Sequence, residues 1–267
     1  MDFYFKKKTV RALRALKNLI LYKFIKYLDQ NRYSINNHYG SSIELSLVYE
    51  EYQNKLPYRD LFELTAAIYK NFILSDKEFV SPEINSKDKI EKVWNLYLKR
   101  KTGEHYRLIP LISKLVNSKQ FLEIGTFRGA SSKALLLNSN IENIYTFDLI
   151  PWQNFESSFL NEEDFQKGRI SQIIGDLSNK SFFKKHEKII LESDFIFIDG
   201  PKDNTFEKNL LAKLFALFKR EKKSTYILMD DVKVSTMAKI WRSIPYPKII
   251  LDVVGHWSGS GLIHVKN

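Results

Sequence analysis

Two periodicities divide the chain. Up to about residue 117, apolar residues recur at helical spacing. Val10, Leu13, Leu16, Ile20, Phe24 and Leu28 predict a helix over 9–30, and Leu61, Leu64, Ala67 and Ile68 predict one over 60–74. Ile90, Val93, Trp94, Tyr97 and Leu98 predict a third over 87–100, and Tyr106, Ile109, Leu111, Ile112 and Leu115 a fourth over 104–117. Residues 31–60 are polar and rich in Tyr and Asn, which suits loop with short helical pieces, and Ser81-Pro82 marks a break. From residue 120 the texture changes to short β-like runs at 120–124, 143–148, 170–174, 194–198, 225–229, 248–254 and 261–265. The first five start 23 to 31 residues apart, room for one strand and one crossover helix, which requires parallel pairing and right-handed connections. Only the Gly255–Ser260 turn separates the last two, so they form an antiparallel hairpin. The pattern therefore predicts an α/β fold: a doubly wound, mostly parallel seven-stranded sheet with a terminal antiparallel hairpin. A helical N-terminal region, 1–103, precedes a sheet domain, 104–267.

Composition narrows the chemistry. With 267 residues, 44% hydrophobic, the chain can bury a substantial core. The absence of cysteine excludes disulfides, thiolate metal sites and cysteine nucleophiles. Of the net charge of +11, +7 lies in residues 1–33, where nine Lys and Arg face only Asp2 and Asp29. The basic character thus belongs to the N-terminal segment and the body is nearly balanced. Arg11, Arg14 and Lys17 form a strip beside the apolar face of the 9–30 helix. Such a helix can lie on an anionic membrane through residues 6–30, or pack on its own domain or on a second copy in a homo-oligomer. No uncharged apolar run is long enough to span a bilayer or serve as a signal-peptide core, so a cytoplasmic location is expected, with the N-terminus the one point of membrane association.

In open α/β sheets ligands bind beyond the carboxyl ends of the strands, so the residues after each strand are the candidates. The first strand runs into Glu123-Ile124-Gly125-Thr126-Phe127-Arg128-Gly129-Ala130-Ser131. Its glycines permit a tight turn and a close backbone approach at the start of the next helix, but Phe127 and Ala130 break a dinucleotide fingerprint, and no Gly-Lys-Ser/Thr follows for a phosphate loop. The second strand ends at Asp148, 23 positions after Gly125, where a carboxylate can accept from both ribose hydroxyls; the third ends at Gly175-Asp176, near where an adenine amine would lie. Either Asp can instead serve only as a turn or cap residue.

The fourth strand runs into Asp199-Gly200-Pro201-Lys202 and the fifth into Asp230-Asp231. The sheet order places these two exits side by side, and three converging carboxylates require a cation or protons. Oxygen-only ligands suit Mg²⁺ or another hard divalent ion; the alternative is that Asp231 caps the following helix. Lys202 beside such a cation is a candidate base. His256, in the terminal hairpin turn, is a second candidate base or substrate contact. His105 begins the helix before the first strand and borders the cofactor region, and the 151–168 connection carries Trp152, Phe155 and Phe159, which cover the site or pack locally.

These residues together resemble class I S-adenosylmethionine (SAM)-dependent methyltransferases, specifically the metal-dependent catechol-type O-methyltransferases and their bacterial small-molecule relatives. The resemblance covers 104–265, about 60% of the chain. It implies a Rossmann-like methyltransferase fold. It also implies that Glu123, Gly125, Thr126, Phe127, Gly129 and Ser131 cradle the methionine part of SAM, with Ser131 at its carboxylate. Asp148 would take the ribose, Asp176 the adenine side, and Asp199 both cofactor and metal. Asp199, Asp230 and Asp231 match the metal triad, although the catechol enzymes usually have Asn at the last position, and Lys202 stands where they place their base.

The resulting expectation is Mg²⁺-dependent transfer of a methyl group to a hydroxyl of a small sugar, phenolic or other secondary metabolite. Methylation of nucleic acid is the alternative enzyme. It is disfavoured because an Asn-Pro-Pro-Tyr-like signature is missing after the fourth strand and the body is barely basic. A non-catalytic interaction subunit is the alternative outside enzymology, against which the acidic triad stands.

Overall fold

The structure, a computed structural model, describes residues 59–74, 79–83, 105–155, 157–251, 254 and 258–266. The helices expected over 9–30 and 87–100, and with them the basic strip, lie outside these residues, as does His256. Residues 57–267 form one unit. Its first helix, α1 (Arg59–Leu74), buries Leu61, Leu64, Ile68 and Phe72, the stripe that three- and four-residue spacing lays along one face. That face packs on α2 (His105–Leu115), in which Leu108, Ile109 and Ile112 are completely buried. α2 ends where Asn117 takes a left-handed conformation (φ 51°) and the Ser118 N–H returns to the Ser113 carbonyl at 2.9 Å, closing the last turn. The chain then enters β1 (Gln120–Ile124).

The remaining elements alternate as expected: α3 (Ala130–Asn138), β2 (Asn143–Asp148), α4 (Glu162–Gln166), β3 (Ile170–Ile174), α5 (Lys180–Lys185), α6 (Glu187–Glu192), β4 (Phe195–Ile198), α7 (Phe206–Arg220), β5 (Thr225–Met229), α8 (Ser235–Ser243), β6 (Lys248–Ile250) and β7 (Gly261–Val265). The strands assemble in the order β3-β2-β1-β4-β5-β7-β6. β7 runs antiparallel to both β5 and β6, and every other pairing is parallel. β6 is shorter than the run 248–254 suggested, because the Val254 N–H turns back to the Leu251 carbonyl at 3.2 Å and ends the ladder.

Every residue of β1 and β4 is buried, as the continuous apolar runs of a sheet covered on both faces require. Successive side chains point to opposite layers. Leu122, Ile196, Ile198, Ile227 and Ile263 face the α7–α8 side with Leu210, Leu214, Phe218 and Trp241, whereas Phe121, Phe195, Phe197, Leu228 and Leu262 face α1 and α2. From β1 the chain winds outward to β2 and β3, then returns to β4 and proceeds the other way. The reversal falls between β1 and β4, the point at whose carboxyl ends ligands bind in open α/β sheets. Among the described residues no helix is long and apolar enough to cross a membrane.

Candidate active site

The strand exits are knitted together before any side chain is considered. The Gly125 N–H donates to the Phe147 carbonyl at 2.8 Å, Asp199 N–H to Ile124 at 2.8 Å, Asp230 N–H to Ile198 at 3.0 Å, and Gly175 N–H to Asp148 at 2.9 Å. All five parallel strands therefore deliver their next residues to one edge. Gly125 has φ +102°, and a Cβ there would drive into the backbone carbonyl of Asp199. Only glycine lets the β1 and β4 exits touch in this way.

The loop after β1 rests on a buried polar cluster. Glu123 is fully buried and its carboxylate accepts from the hydroxyls of Ser131, Ser132 (2.6 Å) and Thr146 (2.6 Å), while Thr126 and Thr146 share a hydrogen bond of 2.6 Å. The hydroxyls of Ser131 and Thr126 thus point into the protein and brace the loop from below. Burial lifts the Glu123 carboxyl to about 7, against the pull of the three hydroxyl donors. Because this lies above the ordinary carboxyl range, the folded protein keeps a proton that the unfolded chain releases between about pH 4.5 and 7, and stability falls as pH rises through that window. Against a Glu123→Gln variant, which holds no such proton, the wild-type protein should lose about 3 kcal/mol of unfolding free energy between these limits. Urea titrations of both proteins across the window measure this, and parallel pH curves would contradict it.

Asp148 ties the loop to the end of β2. Its Oδ2 accepts the Phe127 N–H at 2.7 Å and its Oδ1 the Ile150 N–H at 3.1 Å. The first of these bonds holds Phe127 in a left-handed conformation (φ 47°) with its ring 54% exposed. Leu149 is 67% exposed and Ile150 45%, so a half-buried carboxylate with spare acceptor capacity sits inside an apolar rim. Asp176 closes its own turn, accepting the Ser178 N–H at 2.7 Å and hydroxyl at 2.8 Å. The 151–168 connection is strapped over the loop. Phe159 N–H and Ser158 hydroxyl donate to the Arg128 carbonyl at 2.8 and 3.0 Å, Phe155 meets Phe127 edge-on at 5.0 Å, and Asp164 pairs with Lys133 at 2.6 Å.

At the β4 and β5 exits, the acidic residues converge on Lys202. Its Nζ hydrogen-bonds Asp199 Oδ1 and lies 3.4 Å from Asp231 Oδ2 and 3.9 Å from Asp230 Oδ2. The backbone is clamped to aim it there. Lys202 has φ 57°, its N–H donates to buried Glu207 at 2.7 Å, and its carbonyl accepts the Thr236 hydroxyl at 3.1 Å. Asp231 is also left-handed (φ 58°), held where Val232 and Lys233 donate to the Gly259 and Ser258 carbonyls. Backbone held in such regions by its surroundings is concentrated at functional sites.

Burial pushes the Asp199 carboxyl up, and Asp230 adds to this against Lys202 and His105. Burial pulls the Lys202 ammonium down, but the carboxylates of Asp199, Asp230 and Asp231 outweigh it and hold the proton on.

The cluster has a fifth member that the strand exits did not reveal. His105, the first residue of α2, is only 4% exposed; its Nδ1 is 3.4 Å from Asp230 Oδ1 and its ring tilts against Tyr106 and Phe197. Topology carried the signal. A helix that feeds the amino end of β1 must begin at the sheet's carboxyl edge, and eleven helical residues span about 16 Å, close to the length of a five-residue strand. Among the described residues, His105, Asp199 and Asp230 form the group whose ligand atoms all lie within 4.8 Å of one another; Asp231 joins it through Lys202. One imidazole and two carboxylates fit a divalent cation.

A cavity of about 640 Å³ opens at the opposite end of the sheet, between Phe72, Arg107, Lys114, Asn138 and Arg169. Its two arginines are engaged structurally. Arg169 donates to the carbonyls of Ile141 and Ser139, and Arg107 stacks on Phe72 at 4.5 Å. The carboxyl ends of α2 and α3 point there, so it offers no comparable chemistry.

No protein-family model matches the chain, and no curated protein matches it. Solved structures do. The SAH-bound methyltransferase PaMTH1 of Podospora anserina is 17% identical over 61% of this chain and 78% of its own, with a TM-score of 0.45. The O-methyltransferase TomG of Streptomyces achromogenes, in complex with SAM, is 16% identical over 61% and 79%, at 0.41. An O-methyltransferase from Bacillus cereus, in complex with SAH, is 16% identical over 76% and 100%, at 0.42. At these identities and scores nothing about activity passes from them to this chain, whose own residues have to supply it.

Proposed function

We propose that the chain is a SAM-dependent O-methyltransferase that transfers a methyl group to a hydroxyl of a small molecule with the help of a divalent cation. One juxtaposition carries the reading. A carboxylate in an apolar rim, suited to a ribose and a flat base, lies on one side of Gly125, and a cation-demanding cluster lies on the other. The loop residues would hold a sulfonium cofactor beside that cluster.

Methyl transfer is an in-line displacement, so the site has chiefly to align an oxygen and lower its pKa. Asp148 would accept from the ribose hydroxyls, the exposed Phe127 and Leu149 would cover the base, and Gly125 would allow the backbone to approach. His105, Asp199 and Asp230 are the residues that would hold the cation, which when bound supplies orientation of two adjacent acceptor oxygens and stabilisation of the developing alkoxide or phenolate. A vicinal diol or catechol presents oxygens in that relation. Lys202 is the candidate to receive the acceptor's proton at Nζ. It does so only when its own proton is gone, which requires the charge of the surrounding carboxylates to be met by another cation.

The test is a calorimetric titration of SAM into the full chain, with Mg²⁺ and again with EDTA. Binding under both conditions is expected, since Asp148 and the loop are independent of the cation. No binding under either overturns the reading.

A further inference from the structure

We propose that His105 is the nitrogen ligand of a metal centre formed with Asp199 and Asp230, and that this centre selects a first-row transition ion of the Mn²⁺-to-Zn²⁺ series over Mg²⁺. The inference rests on the reading that the strand-end carboxylates hold a cation, and it specifies which residues do so and which class of ion they take.

Three observations carry it. The first is reach. Ligands bound to one ion at about 2.0–2.2 Å can stand no more than about 4.4 Å apart, and the three donor atoms already lie within 4.8 Å, a gap that small side-chain rotations close. The second is charge. Three acidic side chains meet around a single lysine in a partly covered site, an excess of acidic groups that a divalent cation can offset. Lys202 remains 3.4 Å from Asp231, so Asp231 can keep the lysine while Asp199 and Asp230 turn to the metal.

The third is the kind of donor. Mg²⁺ takes oxygen ligands and retains its waters, whereas imidazole suits Fe, Ni, Cu and Zn, and the affinity of a mixed nitrogen and oxygen site rises from Mn²⁺ through Fe²⁺ and Co²⁺ to Ni²⁺. A buried imidazole fixed by α2 beneath Phe197, its Nδ1 directed at a carboxylate of the cluster, has little to offer Mg²⁺ and much to offer a transition ion.

The experiment uses the full chain stripped with EDTA. Calorimetry with Mn²⁺ and with Mg²⁺ should show Mn²⁺ bound at least about tenfold more tightly. His105→Ala should weaken Mn²⁺ by at least about tenfold while leaving Mg²⁺ within about threefold. Electron spin-echo spectroscopy of the Mn²⁺-loaded wild-type protein should show coupling to an imidazole nitrogen, a readout that survives if the variant does not fold. Equal affinities for the two ions, or a Mn²⁺ signal without nitrogen coupling, overturns the proposal. SAM titrated into the same samples separates the two readings. SAM binding without metal preference leaves the methyltransferase reading and removes this one, and nitrogen-coupled Mn²⁺ without SAM binding does the reverse.

Discussion

Replacing Asp199 by alanine should lower methyl transfer by at least about a hundredfold and leave SAM affinity within a few-fold. Asp199 meets the cofactor loop through its backbone carbonyl, against Gly125, and meets the cation site through its carboxylate. The two contacts are separable, since a side-chain change leaves the first in place and removes one of three ligands from the second. Loss of a single preorganised electrostatic group at a reacting centre typically lowers turnover by about 10²–10³-fold, and a lost ligand forfeits the cation's contribution as well. Asp230→Ala should behave alike. Transfer of a labelled methyl group to a panel of catechols and vicinal diols, beside calorimetry with SAM, measures both quantities. Undiminished transfer by either variant removes the metal mechanism. The same substitution takes one of three mutually repelling carboxylates from around Lys202, so the metal-free variant should melt no lower than the metal-free wild type.

The second large effect is Gly125→Ala. At φ +102° an alanine is strained by about 1–3 kcal/mol, and its Cβ collides with a carbonyl that packed backbone cannot move aside. The β1 and β4 exits would have to part, shifting the loop that faces SAM and the carboxylate that faces the cation together. SAM affinity should fall at least about thirtyfold, equivalent to about 2 kcal/mol, with a matching loss of stability. Gly168→Ala is the control. Its φ of +72° imposes similar strain, but nothing lies within 4 Å of the added Cβ, so stability should fall while SAM affinity holds. An alanine at 125 that binds SAM as the wild type does would dismiss the close approach as the reason for the glycine.

The β/α units, the terminal hairpin and the exits at 125, 148, 175, 199 and 230 were legible because they depend on local information. Alternating apolar runs and their spacing define the β/α units, and the residue after a strand is placed by the strand itself. Functional candidates on the exits were found for the same reason. His105 escaped as a member of the acid cluster because 94 residues separate it from Asp199, and no short motif spans such a gap. Glu123 and Ser131 were legible as members of the loop. That they face inward, bonded to each other and to Ser132 and Thr146, depends on which side of β1 each points to and on what α3 and β2 bring there.

The sequence by itself determined the fold class, the order of parallel units closed by a hairpin, and the edge on which the chemistry must lie. Hydrophobic periodicity defines the strands and helices, and crossover length requires parallel pairing of the first five strands. Only the tertiary structure decided the electrical state of that edge. Lys202 carries its proton because Asp199, Asp230 and Asp231 surround it, and the Glu123 carboxyl rises because no water reaches it. Charge energies follow the distance between groups and the water around them, and both are set by which parts of the chain the fold brings together.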